Sequence, residues 1–266
     1  MGTEDRKARQ KRYPPVLQDG DEQPQWRFPF VSRSFVPSVF TVMNMVSGYV
    51  SIVMAGEGNF IIAGWLIFVA AFFDTIDGFV ARLTNSSSEF GVELDSLSDL
   101  VSFGAAPAYL VYKFGLSTLG MPLGLLFSSL LMIGSGLRLA RFNINLIDYH
   151  KDSFSGLPTP AQAMTIASFV LWMSVEPLFT DVALQKVLLV LTVSLAILMV
   201  SKVNYDALPK PTRESFRNHP VQMTLYVIAI FCVLVYQAKA FFVAMLLYIL
   251  LGIVRSVTLM VRQWQL

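Results

Sequence analysis

The chain has 266 residues, 55% of them hydrophobic and 14% charged, with a mean hydropathy of +0.58 and a net charge of +2. Soluble domains carry roughly a quarter charged residues, so this composition argues against a water-soluble globule and for a polytopic membrane protein. One cysteine, Cys232, and two histidines, His150 and His219, exclude a disulfide framework and leave a zinc site almost without ligands; no nucleic-acid partner is expected.

Residues 1–35 read as a polar, proline-punctuated tail in which Arg6, Lys7, Arg9, Lys11 and Arg12 precede Asp19, Asp21 and Glu22. No short apolar core follows the basic residues, so this is not a secretory signal peptide. The stretch Trp26–Phe30 suits a lipid interface, and residues 1–24 equally suit a disordered cytoplasmic tail. Eight apolar stretches of spanning character then follow, at about 36–54, 60–83, 90–112, 119–147, 161–175, 182–203, 221–236 and 241–261. The breaks between them hold Gly56-Glu-Gly58-Asn59, Asn85-Ser-Ser-Ser88, Pro158 with Pro160, and Pro209 with Pro211. The expected fold is an all-α membrane bundle of about eight helices. Residues 36–203 would form a six-helix core, and 204–266 a cytoplasmic loop with two further helices.

Charge orients the bundle. With the N-terminus inside, all of the 20 lysines and arginines except Lys113, Lys186 and Lys239 fall on the cytoplasmic side. That bias follows the positive-inside rule and favours an even number of spans, with both termini cytoplasmic.

The second and third spans carry charges that a simple anchor would not tolerate. Asp74 and Asp77 are spaced i, i+3 and share a helix face, which Gly78, Ala81 and Arg82 continue. Gly91, Asp95 and Asp99 recur every four residues and form one stripe. If the two helices pair as an antiparallel hairpin, four carboxylates converge. Like charges that close in a low-dielectric site cannot all stay ionised uncompensated, and Arg82 is the single cationic residue in 74–99. Oxygen ligands without His or Cys favour Mg²⁺ or Mn²⁺, with Ca²⁺ also compatible. Two such ions would neutralise the four charges and hold a pyrophosphate. Gly78, Ala81 and Gly91 would let a base and ribose approach the backbone, while helix packing is an equal reading for Gly91. An ion path through a transporter is the competing class; against it, 160–261 holds no second acidic cluster.

The stretch Asp74-Thr-Ile-Asp77-Gly78-Phe-Val-Ala81-Arg82, then Gly91, Asp95 and Asp99, resembles the signature of the CDP-alcohol phosphotransferases, with every fixed position at that spacing. The resemblance implies that Asp74, Asp77, Asp95 and Asp99 hold two divalent ions and that Asp99 takes the proton from the acceptor hydroxyl. It implies a nucleotide pocket at Asp77, Gly78, Ala81, Arg82 and Gly91. The segment Pro37 to Gly48 is similar to the family's first helix, where Thr41 and Asn44 either line that pocket or bond between helices. It also implies a homodimer among membrane lipids.

Three further segments, Ser102 to Ala108, Leu137 to Asn143 and Gly156 to Pro160, are similar to the family's phosphatidylserine synthase branch. That branch implies CDP-diacylglycerol and L-serine as substrates and CMP as the leaving product. Arg138 and Arg141, spaced i, i+3, suit serine's carboxylate; they suit glycerol phosphate or inositol phosphate acceptors as well, or could snorkel to lipid phosphates.

Overall fold

A computed structural model describes residues 35–84, 89–147, 156–203, 205 and 238–258. The described chain is helical throughout: α1 (Phe35–Gly56), α2 (Phe60–Thr84), α3 (Glu89–Asp99), α4 (Ala106–Phe114), α5 (Met121–Ile147), α6 (Thr159–Val175), α7 (Asp181–Val200) and α8 (Ala238–Thr258). A π-helical segment, Leu100–Ala105, joins α3 to α4, and a short 3₁₀ turn, Leu116–Leu119, precedes α5.

Five of these helices hold stretches long and apolar enough to cross a bilayer: Val39–Gly56, Phe60–Val80, Met121–Ile144, Asp181–Val200 and Ala238–Thr258. They correspond to the first, second, fourth, sixth and eighth expected spans. The third is helical but runs in three pieces and carries the acidic stripe, and the fifth is the 17-residue α6. The seventh, 221–236, lies outside the described residues, as do the N-terminal tail, the 85–88 break and the 206–237 connection. Large apolar side chains such as Val46, Trp65, Phe72, Leu126, Ile133, Val190, Ile197 and Leu251 point outwards. Soluble monomers rarely expose apolar surface on this scale; together with the five long helices it makes the chain a multi-pass membrane protein.

α1 and α2 form an antiparallel pair whose turn has a plain cause. Gly58 adopts φ 82°, a conformation that favours glycine, and two bonds close the end of α1 around it. Asn59 N–H donates to Met54 O at 2.9 Å, and Gly58 N–H donates to Ala55 O at 3.2 Å. Ser51 then donates from α1 to the Ala63 carbonyl of α2 at 2.8 Å.

The path from α3 to α4 is set by a proline. Pro107 has no N–H to give the Phe103 carbonyl, and its ring crowds that position in a regular helix. The chain answers with π bonding, Ala106 N–H reaching Val101 O, while Ser135 of α5 donates to the Phe103 carbonyl at 3.3 Å. Because this segment begins at Leu100, the widened turn starts immediately after Asp99.

Neighbouring helices come close at this segment. A Cβ on Gly48 would lie 2.6 Å from the Ser102 Cα, so α1 reaches the π segment only because residue 48 has no side chain. A Cβ on Gly104 would be a tighter than usual contact, 3.2 Å from the Ser135 Cβ of α5. Around this crossing lies the core, with Phe103, Ile67, Leu110, Leu131, Ile166 and Phe169 buried.

Candidate active site

Four helices place the candidate residues. Ser98 donates to the Thr41 carbonyl at 2.9 Å, and Ser102 donates to the Asn44 carbonyl at 2.8 Å. These two serines, one turn apart, fix α1 against α3 and the π segment. Thr41 and Asn44 are thereby turned inward, and both are buried.

The aspartates meet where the spacing predicts. One carboxylate oxygen each from Asp74, Asp95 and Asp99 lie within 4.8 Å of one another. Asp77 stands beside this trio, turned towards α1, where its Oδ2 accepts a hydrogen bond from the Thr41 hydroxyl. Asp77 is 6% exposed and Asp99 is 9% exposed. Asp99 Oδ1 accepts from the Asn44 amide at 3.3 Å. Thr41 and Asn44 thus bond between helices, and the carboxylates are their partners. Those bonds hold two of the aspartates in fixed orientations.

Three observations fit this centre to hard divalent cations. The ligand atoms are carboxylate oxygens, which suit Mg²⁺, Mn²⁺ or Ca²⁺. Among the described side chains, no lysine or arginine comes within ion-pairing distance of the four carboxylates. The buried Asp77 Oδ1 and Asn44 Oδ1 have no donor. An oxygen sealed from water without a donor is costly, and a bound cation removes that cost.

The remaining sequence candidates separate. Gly78 is exposed, and a Cβ there would meet nothing within 4 Å, so helix packing does not require glycine at this position. Gly91 is half-buried on α3. Ala81 and Arg82 lie on the last turn of α2, and their side chains are outside the description. Arg138 and Arg141, alike in sequence, have different surroundings. Arg138 is half-buried and within charge-interaction range of Asp99 and of Tyr248 on α8, and its Nε has no partner. Arg141 is exposed, and its Nη1 donates to the Val200 carbonyl at 2.7 Å, closing the last turn of α7.

Sequence reasoning missed the supports. Ser96 and Asn143 bond to each other across α3 and α5, Asn143 Nδ2 donating at 3.0 Å. Ser98 and Ser102 form the seam to α1. Their i, i+4 spacing was a readable signal, since small hydroxyl residues at that interval make interhelical bonds in membranes. Tyr248, 110 positions from Arg138, carried no such signal.

A carboxylate-lined centre held between membrane helices defines a candidate divalent-metal enzyme of the bilayer. Residues 34–200 match the family model described as CDP-alcohol phosphatidyltransferase, and the chain belongs to that family. A CDP-diacylglycerol–serine O-phosphatidyltransferase of Helicobacter pylori strain J99 is 36% identical over 85% of this chain and 92% of its own length. A protein of the same name from Methanocaldococcus jannaschii is 32% identical over 82% of this chain and 92% of its own. The archaetidylserine synthase of Methanothermobacter thermautotrophicus is 33% identical over 64% and 69%, respectively. The family makes the chain an enzyme of phospholipid synthesis and sets aside the transporter reading.

Proposed function

We propose that this protein transfers the phosphatidyl group of CDP-diacylglycerol to L-serine, forming phosphatidylserine and releasing CMP. The convergence of Asp74, Asp95 and Asp99 carries the chemistry. Relatives named for serine transfer, matched over more than four-fifths of the chain, carry the acceptor.

Asp74, Asp77 and Asp95, with Asp99 close by, would hold two Mg²⁺ or Mn²⁺ ions. Such ions supply charge neutralisation at the pyrophosphate and at the leaving phosphate. Asp99 accepts the proton of the serine hydroxyl, since a neutral alcohol is a poor nucleophile without a positioned base. The serine oxygen bonds to the phosphorus that bears the lipid, and the bond from that phosphorus to the bridging oxygen breaks, leaving CMP. Asn44 keeps Asp99 aimed, and Thr41 keeps Asp77 aimed. The open flank at Gly78, with Ala81, Arg82 and Gly91, takes the nucleotide. Arg138, within electrostatic range of Asp99, receives the serine carboxylate; Arg141 serves α7.

The lysine and arginine bias supports a cytoplasmic active site and cytoplasmic termini. We place the catalytic core at 36–203 and read the working unit as a homodimer in lipid. The test is CMP release from CDP-diacylglycerol by purified protein with serine, glycerol 3-phosphate or inositol 1-phosphate as acceptor. Serine should be used best. Better use of either phosphorylated acceptor contradicts the serine reading and leaves the reaction class standing.

A further inference from the structure

The family match ends at residue 200, yet α8 packs into the same bundle. Phe241 meets Phe68 of α2 edge-on at 5.0 Å, and Phe242 meets Phe169 and Trp172 of α6 at 5.2 and 5.9 Å. Lys239 pairs with Glu176 at 3.1 Å, at the end of α6, and lies over Trp172. Helix α8 therefore starts beside the end of α6 and runs antiparallel to it. Gly64, near the start of α2, sits against Leu171, near the end of α6, so α2 and α8 run the same way.

Depth follows from that direction. Asp74 is six residues beyond Phe68, about 9 Å along α2 at 1.5 Å per residue. Tyr248 is seven residues beyond Phe241, about 10 Å along α8. Tyr248 therefore stands level with the carboxylates, consistent with its lying within electrostatic range of Arg138. Against its ring packs Tyr205, at 5.6 Å between centroids, with Tyr205 lying on the backbone of α8 where Gly252 has no side chain. Tyr205 is 6% exposed and its hydroxyl has no partner. A phenol is already a donor at neutral pH, and burial pushes this one further up, to about 12.

We infer that Tyr205 and Tyr248, both beyond the family's matched residues, complete the acceptor pocket with Arg138. Tyr248 accepts from the Arg138 guanidinium and holds it towards Asp99. The unpartnered Tyr205 hydroxyl takes a polar group of the small zwitterionic acceptor. The inference rests on serine being that acceptor. Packing alone would need the two rings and not their hydroxyls, and that difference makes it testable.

Tyr248→Phe and Tyr205→Phe keep the rings and remove the hydroxyls. Each should raise the serine KM about tenfold, as expected for one lost hydrogen bond to a charged partner, with the CDP-diacylglycerol KM within twofold. Lys239→Gln, at the far end of α8, should leave the serine KM unchanged. Tyr248→Phe and Arg138→Lys should be non-additive in a double-mutant cycle. Wild type that uses serine, with both Phe variants keeping its KM within twofold and the cycle additive, overturns this inference alone. Wild type that prefers a phosphorylated acceptor overturns the serine reading and this inference with it.

Discussion

At the scale of single residues, the centre divides into groups that hold charge and groups that aim them. Asp74→Asn, Asp77→Asn and Asp95→Asn each remove a charged oxygen from the proposed metal centre, so each should cut activity below about a tenth and raise the metal concentration needed. Asp99→Asn should cost about 10²–10⁴ in rate, the usual worth of a general base, with donor affinity changed less. An Asp99→Asn enzyme that turns over normally at saturation but binds donor poorly would make Asp99 a binding ligand. The aspartates were legible because helical spacing alone puts i, i+3 and i, i+4 residues on one face. Arg138 and Arg141 were not separable that way. Their spacing is as regular, and only the packing of α5 against α7 turns Arg141 to the Val200 carbonyl.

Among elements, the π segment follows Asp99 directly, and we propose that its geometry aims that carboxylate. A π turn adds a residue to the helical count, so side chains on its two sides are offset from where a regular helix would put them. Pro107→Ala restores the N–H to the Phe103 carbonyl and lets the path relax towards a regular helix. The expected outcome is a loss of at least about tenfold in kcat with the melting temperature unchanged or raised. A Pro107→Ala enzyme of normal kcat would mean that the π geometry does not aim Asp99. The sequence reading took 90–112 as one span and placed no interruption at Pro107. The form of the interruption depended on Gly48 and Ser135, partners 59 and 28 positions away, which no local pattern contains.

For the whole molecule, the apolar runs made the membrane class plain, and five long helices match expected spans. The acidic third helix and the short α6 could not be judged on apolarity alone. Both derive their place from packing: α6 is buried over most of its length although it is only 17 residues long. From Arg82 and the distribution of the other cations we propose that the 85–88 break faces the cytoplasm. A cysteine at Ser87 in a Cys232→Ser background should resist an impermeant thiol reagent in intact cells and label after permeabilisation. Ready labelling of intact cells would invert the topology.

The account stands most directly on one measurement, the products formed by purified protein from CDP-diacylglycerol and L-serine with and without EDTA. It predicts CMP and phosphatidylserine in equal amounts, none of either after EDTA, and recovery on adding Mg²⁺ or Mn²⁺. Transfer that continues undiminished in EDTA, from protein confirmed free of bound divalent metal, would contradict a carboxylate-held metal centre at Asp74, Asp77, Asp95 and Asp99.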